Sequence, residues 1–146
     1  MKMISHIAVA ASWYEDQSAT VVARLDSDGI CHVDRPVTGP FSVEWPEDVC
    51  TVANEVGAHR VLVSSNDGGP LMVEAVRLAW KSAERKGPRP VFRPTWALTG
   101  LANRAETVTR WVADGRVVLS EDLLASGASP AGVSATADVV TSLLAA

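Results

Sequence analysis

The sequence predicts an α/β fold in which helices cover both faces of one mixed β-sheet. Three consecutive segments rich in Val, Ile and Ala, separated by polar turns, open the chain and predict an antiparallel meander. Short apolar segments then alternate with amphipathic helical patterns, which is typical of parallel βαβ units. A chain of 146 residues is long enough for a single core, so we expect residues 1–146 to form one domain.

The first three segments each have the composition of a strand. β-branched residues and alanine dominate the first two, and the polar stretch Ser12–Ser18 between them predicts a hairpin. An Asp-Ser-Asp-Gly turn leads into the third segment, where Pro36 and the alternation of residues favour a position near the sheet edge. The predicted strands are Ile4–Ala11, Ala19–Asp26 and Ile30–Val37.

The remainder of the chain predicts alternating helices and strands. Pro46 suits the first turn of a helix, and Gly57 suits its end. The apolar run Arg60–Ser65 is typical of a strand buried on both faces, so we place it at the sheet centre. Further helices are predicted at Leu71–Lys86, Leu98–Asp114 and Pro130–Ala146, a strand at Pro90–Arg93 and an additional extended segment at Val117–Ser120. The resulting sheet is mixed and five-stranded.

Composition and cysteine content limit the classes of protein that this chain can be. Hydrophobic residues make up 47% and charged residues 21%, which excludes a disordered chain. The formal net charge of −4 argues against a protein that coats nucleic acid by bulk charge. Cys31 and Cys50 lie far apart without metal-ligand spacing, so we expect buried free thiols. No apolar run reaches the length of a membrane span, and we expect a cytoplasmic protein without membrane contact.

Four stretches of the sequence carry a pattern beyond secondary structure: IAVAASWYEDQSATVVARLDSDG, RVLVSSNDGGPLMVEAV, RAETVTRWVADGRVVLSED and ATADVVTSLLAA. With the βββαβαβα order, they resemble the RNase H-like nuclease domain of phage terminase large subunits over nearly the whole chain. The resemblance implies an RNase H-like fold, a phage origin and a link to DNA packaging. It also implies a two-metal nuclease centre with one carboxylate on the first strand, one at the end of the central strand and one on the C-terminal helix.

The sequence departs from this pattern at two of the three carboxylate positions. The first falls near Ala10 and the second near Ser64 or Ser65, and none of these residues has a carboxylate. Only Asp138 lies where the resemblance places the third acid. Two divalent cations about 4 Å apart need several oxygen ligands. The resemblance therefore implies a fold that has lost its nuclease centre and serves, without a cofactor, as a non-catalytic binding or assembly module.

The alternative is an active endonuclease with a displaced acidic site. In that interpretation Asp67, Asp138 and either Glu15 or Asp16 regroup around Mg²⁺ or Mn²⁺. The same residues also have ordinary structural explanations. Glu15 and Asp16 suit a solvated turn, Asp67 can cap the turn before Pro70, and Asp138 can be an exposed residue on its helix. Side chains on a buried strand are held too rigidly to tolerate a shift of two residues, so the sequence favours the non-catalytic interpretation.

Basic residues cluster in one part of the chain. Six of them lie within 17 residues that contain one acid, Glu84, although the whole chain is acidic. The cluster can bind the phosphates of DNA or RNA, or it can be a solvated helix end whose cations suit the C-terminal dipole. Its members are Arg77, Lys81, Arg85, Lys86, Arg89 and Arg93.

The chain has five Trp beside two Phe and one Tyr. Trp13 and Trp45 fall in predicted loops, so we expect them to be exposed, either at a protein interface or as loop anchors. Trp80, Trp96 and Trp111 are expected in the core or in helix packing. The expected partners are a phage or host protein, further copies of this chain and nucleic acid, in the host cytoplasm or in a virion.

Overall fold

The computed structural model describes residues 4–14, 17–40, 44–65, 70–83, 85, 88–96, 101–120 and 130–144. Within this part of the chain there are six strands and four helices. The strands are β1 (Ile4–Tyr14), β2 (Gln17–Asp26), β3 (Cys31–Pro40), β4 (Arg60–Ser64), β5 (Val91–Thr95) and β6 (Val117–Leu119). The helices are α1 (Trp45–Val56), α2 (Pro70–Ser82), α3 (Leu101–Ala113) and α4 (Pro130–Leu144).

One mixed sheet contains these six strands in the order β5-β4-β1-β2-β3-β6. β1, β2 and β3 form the predicted antiparallel meander, whereas β4, β5 and β6 pair in parallel with β1, β4 and β3 respectively. The predicted mixed α/β architecture is confirmed. The sheet has one strand more than predicted, because Val117–Leu119 pairs with Cys31–Val33. A segment of three residues is too short to show a strand pattern in the sequence. Val117–Leu119 is a strand because it pairs with β3.

The position of β4 also differs from the prediction in one respect. β4 is an inner strand, flanked by β1 and β5, but the middle of the sheet is taken by β1 and β2. Three of its residues, Val61, Leu62 and Val63, are at most 4% exposed, as the apolar run predicts. The outer neighbour, β5, contains Pro94, which suits an edge strand because proline has no amide hydrogen to donate.

The β1–β2 hairpin is longer than the sequence predicts. Ser12 pairs with Ala19 and Tyr14 with Gln17, so most of the predicted loop is strand. Two of the polar side chains that suggested a loop lie inside the fold, where Ser12 is 0% and Ser18 is 9% exposed. Side-chain polarity reports solvation, whereas the hairpin length depends on backbone pairing with a neighbouring strand, so the sequence pattern misplaced the turn.

Among the described residues, α2 ends at Ser82 and α3 at Ala113, before the predicted ends at Lys86 and Asp114. α3 is described from Leu101 and α4 up to Leu144. Residues 84, 86–87, 97–100 and 145–146, which the predicted helices included or bordered, lie outside the described residues. Gly57 ends α1 with a φ of 65°, a left-handed conformation that glycine adopts without strain, as its place after the apolar stripe predicts.

Two hydrophobic layers lie on opposite faces of the sheet. Along β1, Val9 and Ala11 face the layer of α1 and α2, whereas Ala8 and Ala10 face the layer of α4. All four residues are 0% exposed, so the strand is buried on both faces. The small side chains of β1 let both helix layers approach the sheet closely. None of the helices within the described residues is long and apolar enough to span a membrane.

The two cysteine thiols are expected to be unreactive in the folded protein. Both are 0% exposed, and burial raises the pKa of Cys31 to about 12 and that of Cys50 to about 11. Since the thiolate is the reactive form, neither thiol is expected to react with a disulfide reagent at pH 8 before global unfolding. The measurement is a thiol titration with and without guanidinium chloride. Two thiols should react in the denaturant and none on the same timescale without it, and fast labelling of either cysteine in the native protein would contradict the expectation.

Candidate functional site

The carboxyl ends of β1, β4 and β5 meet at one edge of the sheet, because these neighbouring strands run parallel. Side chains on the α4-facing side of this edge are polar. Ala10 and Leu62 face the α4 layer, so Ser12 and Ser64, two residues further along each strand, face the same way. Thr95 pairs with Ser64 and extends this row onto β5. The edge therefore presents hydroxyl groups where apolar packing ends.

Neither strand supplies a carboxylate at the positions that the resemblance indicates. Ala10 is packed beneath α4 and is 0% exposed. Ser64 is 7% exposed, and Ser65 is fully buried with its hydroxyl donating to the carbonyl of Val63 at 3.2 Å. The described residues contain no group of three His, Cys, Asp or Glu side chains arranged to hold a metal ion.

Asp138 lies at this polar edge and is not the exposed helix residue considered from the sequence. Its side chain is 10% exposed. One carboxylate oxygen accepts a hydrogen bond from Arg104 Nη2, and the other accepts from Thr95 Oγ1 at 2.9 Å. The expectation of an exposed Asp138 was wrong because α3 and β5, both distant in the sequence, pack against this part of α4.

Arg104 is the residue that organises this cluster, and the sequence analysis did not identify it. Its side chain is 12% exposed. Besides Asp138, it donates to the hydroxyl of Ser134 at 2.7 Å and to the carbonyl of Ser134 at 3.0 Å. Ser134 and Asp138 are four residues apart and so share one face of α4. The spacing of Ser134 and Asp138 is visible in the sequence, but nothing there indicates that an arginine of α3 faces them.

The electrostatics of Asp138 reflect two opposing effects. Burial raises the pKa of its carboxyl above the usual value of 3.8, because desolvation disfavours the charged form. The Arg104 charge and the hydrogen bonds from Thr95 and Arg104 act in the opposite direction. Burial is the larger effect. The positive charge of Arg104 offsets part of the cost of burying the Asp138 carboxylate.

A cleft of about 620 Å³ opens beside this cluster, between β4 and β5 on one side and α3 and α4 on the other. Among the described residues, it is lined by three arginines, one aspartate, four hydroxyl side chains and three apolar residues. These are Arg60, Arg93, Arg104, Asp138, Thr95, Thr107, Thr141, Ser142, Leu62, Ala137 and Trp96. The sequence offered only a weak signal for it, the alternation of Arg93 and Thr95 with buried Phe92 along β5.

Of the acidic residues proposed for a displaced metal site, the structure describes only Asp138. Glu15, Asp16 and Asp67 lie outside the described residues. The described donors at the carboxyl ends of the strands are the hydroxyls of Ser12, Ser64 and Thr95 and the one carboxylate that already accompanies an arginine. This donor set does not fit two divalent cations, which need several carboxylate oxygens between them.

The basic cluster is divided among different environments. Arg85 is internal: its side chain is 9% exposed, pairs with Glu47, donates to the carbonyl of Ala79 and lies over the Trp80 ring. Arg85 is buried because α1 packs against α2. The density of charge along the sequence does not predict this packing.

The other members of the cluster have more open surroundings. Arg77 pairs with Glu74 on the same helix, and Arg89 lies over the ring of Phe92 at 5.7 Å. Lys81 is exposed, Arg93 lines the cleft, and Lys86 lies outside the described residues. The cluster is therefore not one continuous surface among the described residues, and its role in binding nucleic acid stays a prediction.

Two expectations about tryptophan were wrong. Trp45 is 2% exposed and lies in the core, where its ring meets that of Trp13 edge to face at a centroid distance of 5.3 Å. Trp13 is partly buried against the same cluster. Conversely, Trp96 is 51% exposed and lines the cleft, although the sequence placed it in the core or in helix packing. Trp80 and Trp111 pack against the two cores as expected.

The fold is similar to that of solved nucleases and resolvases. The Holliday junction resolvase of fowlpox virus matches 94% of this chain and 99% of its own, with a TM-score of 0.64 and 8% identity. The yeast mitochondrial Holliday junction resolvase matches 94% of this chain and 76% of its own, with a TM-score of 0.55 and 11% identity.

The nuclease domain of the large terminase subunit of bacterial virus Sf6 is also similar. It matches 88% of this chain, has a TM-score of 0.54 and is 12% identical, and this chain covers 62% of its length. These structures have RNase H-like or resolvase-type nuclease folds, so the fold that the resemblance implied is confirmed. The sequence matches no protein-family model and no curated protein.

The ion pair between Arg104 and Asp138 predicts a measurable change in a pKa. In Arg104→Gln, the pKa of Asp138 is expected to rise further, because the variant removes a charge that favours the carboxylate. Carboxyl-carbon NMR titration of the two proteins measures the shift. Arg116→Gln, at an exposed arginine beside the opposite edge of the sheet, is the matched control and should leave this pKa unchanged. An unchanged or lower pKa in Arg104→Gln would contradict the assignment.

The raised pKa of Asp138 also makes the stability of the protein depend on pH. A carboxyl whose pKa is higher in the folded chain than in the unfolded chain binds its proton more tightly when folded. Its contribution to stability is therefore fully present below the unfolded pKa and is lost as pH rises through the folded pKa. Denaturant unfolding of the wild-type protein and Asp138→Asn across this range should show that only the wild type has this component of the pH dependence.

Arg85 is expected to stabilise the fold rather than to bind phosphates. Arg85→Ala removes a nearly buried guanidinium that donates to the Ala79 carbonyl and pairs with Glu47, so the free energy of unfolding should fall by about 1–3 kcal/mol. Lys81→Ala, an exposed basic residue of the same cluster, should change it by less than about 0.5 kcal/mol. Urea unfolding measures both variants, and equal effects would show that Arg85 has no structural role.

Proposed function

We propose that this chain, whose fold is RNase H-like, is a non-catalytic binding module that has lost the nuclease centre of related folds. The observation that carries the proposal is the engagement of Asp138. Its carboxylate accepts hydrogen bonds from Arg104 and Thr95 instead of being open to a cation. Ala10 and Ser64, on the two strands that would supply the other acids, have no carboxylate.

The charges at this edge of the sheet favour an anion over a metal ion. A two-metal centre concentrates positive charge between carboxylates, which stabilises the attacking and leaving oxygens of a phosphodiester. Here the guanidinium of Arg104 already provides a positive charge beside Asp138. A divalent cation at the same carboxylate would be repelled by that guanidinium and would find hydroxyl groups in place of further acids. Binding of a phosphate group remains compatible with these residues, whereas metal-dependent hydrolysis is not supported by them.

The module would act through its surface. We place its binding function at the cleft beside Asp138, where Arg60, Arg93 and Arg104 supply positive charge. Protein partners encoded by a phage or its host, and further copies of this chain, are the other candidates, with Trp13 as a contact on the opposite layer. A phage origin, a part in DNA packaging and a place in the host cytoplasm or virion belong to the same proposal, which the terminase-like fold supports.

An active endonuclease is the second candidate. It would need Asp67 and either Glu15 or Asp16 to join Asp138 around Mg²⁺ or Mn²⁺. A cation at Asp138 would have to bind beside the guanidinium of Arg104, since each carboxylate oxygen already accepts a hydrogen bond. The fold shared with solved nucleases is the observation that keeps this candidate open.

A cleavage assay separates the two candidates. The purified protein is incubated with supercoiled plasmid DNA and with increasing Mg²⁺ or Mn²⁺, and we expect the plasmid to stay supercoiled. The same assay is run with Asp138→Ala and Asp67→Asn, which lack the acids of the displaced site. Relaxed or linear DNA that depends on the metal and disappears in either variant would establish the endonuclease and refute the non-catalytic module.

A further inference from the structure

The cleft between β4, β5, α3 and α4 contains more positive charge than the fold requires. Of the three guanidinium groups lining it, only that of Arg104 forms an ion pair with the lining carboxylate, Asp138. Arg60 and Arg93 therefore add two positive charges that no described acid lining the cleft balances. An open cleft with excess positive charge, in a chain whose formal net charge is −4, attracts an anion.

The two unbalanced arginines differ in a way that suits a phosphate group. Arg60 is held in place, because its Nη1 donates to the hydroxyl of Ser142 at 2.6 Å and to the Ser142 carbonyl at 3.3 Å. The Arg93 side chain is exposed and forms no hydrogen bond or ion pair with any described residue. One guanidinium is thus already oriented, and the other keeps its donors available for a ligand.

The strand register brings the two arginines to the same face of the sheet. Arg93 pairs with Leu62, which lies two residues beyond Arg60 on β4 and so faces the same side. A guanidinium presents a planar set of N–H donors that matches the oxygens of a phosphate in a bidentate contact. Two such groups on neighbouring strands can hold different oxygens of one phosphate monoester.

The indole ring of Trp96 lines the same cleft. Trp96 follows β5 directly, is 51% exposed and makes no ring contact with the described residues. An exposed indole beside phosphate-binding cations is the arrangement by which proteins stack nucleobases. The hydroxyl groups of Thr107 and Thr141 line the cleft as well and can hydrogen-bond to a sugar or a base.

We propose that this cleft binds a nucleotide, with Arg60 and Arg93 contacting the phosphate and Trp96 stacking on the base. The cleft volume of about 620 Å³ lies in the range of sites that hold small organic ligands. The phosphate ester can belong to a free nucleotide or to a single nucleic-acid strand, since both present the same chemistry. The inference names the ligand class of the binding site in the proposed function and rests on that function only in its choice of cleft.

The experiment is isothermal titration calorimetry with adenosine monophosphate, adenosine and inorganic phosphate. We expect adenosine monophosphate to bind, and adenosine to bind at least about tenfold more weakly because it lacks the charged group. Arg93→Gln should weaken binding of adenosine monophosphate by about tenfold or more, and this exposed side chain can be replaced without disturbing a described contact. Trp96→Ala should weaken the binding of adenosine monophosphate but leave the binding of inorganic phosphate unchanged.

Arg116→Gln is the matched control, because it removes the same charge at an exposed position beside the opposite edge of the sheet. It should bind adenosine monophosphate like the wild type. Circular dichroism and the urea midpoint of each variant establish that the fold is intact. Failure of adenosine monophosphate to bind at millimolar concentration, or equal binding by Arg93→Gln and the wild type, would overturn the proposal.

A further arm identifies the source of the phosphate. A short single-stranded oligonucleotide that binds more tightly than adenosine monophosphate, and competes with it, supports a nucleic-acid strand as the ligand. An oligonucleotide that does not compete supports the free nucleotide. Plasmid cleavage, tested on the same preparations, separates the two proposals: cleavage with intact nucleotide binding refutes the non-catalytic function alone, and absence of both refutes the nucleotide site alone.

Discussion

The ion pair between Arg104 and Asp138 is the constraint on which the rest of the site depends. Arg104 belongs to α3, and it contacts Asp138 and Ser134 on successive turns of α4, while Thr95 of β5 contacts the other oxygen of Asp138. Two consecutive elements, β5 and α3, therefore meet the more distant helix α4 at one carboxylate. A charge that is nearly buried must keep its partner, because removing one member leaves the other uncompensated. This requirement holds the first half of α3 beside α4 and sets the wall of the cleft.

The same pair changes the chemistry that the edge of the sheet can support. In a nuclease centre with two cations, carboxylates face inward and the metals supply the positive charge. In this chain the positive charge comes from arginines, and the strand positions carry alanine and serine. Under the proposed function, such an arrangement attracts phosphate groups without activating water. The fold resembles that of solved nucleases, while Asp138 is the single acid among the described residues that line the cleft.

Small residues make the architecture possible. The centre of β1 is a run of alanine and valine with no exposure, and it supports a helix layer on each face. Where such packing ends, the strands continue into buried hydroxyl residues such as Ser12 and Ser64. The transition from apolar to hydroxyl side chains along neighbouring parallel strands marks the edge at which a ligand can reach the sheet. The cleft opens beyond it, where α4 covers β1 and β2 more fully than β4 and β5.

Local sequence patterns predict the order of strands and helices, the mixed sheet and the two buried thiols, because periodicity and apolar content are properties that the chain carries along its length. The absence of a carboxylate at Ala10 and Ser64 is also visible in the sequence, since residue type alone decides that point. The tertiary structure decided which side chains meet. The pairing of Arg104 with Asp138, the burial of Trp45, the exposure of Trp96 and the separation of Arg85 from Arg93 all depend on the packing of elements that are distant in sequence. Contacts of this kind follow from helix orientation and strand register, which no local pattern encodes.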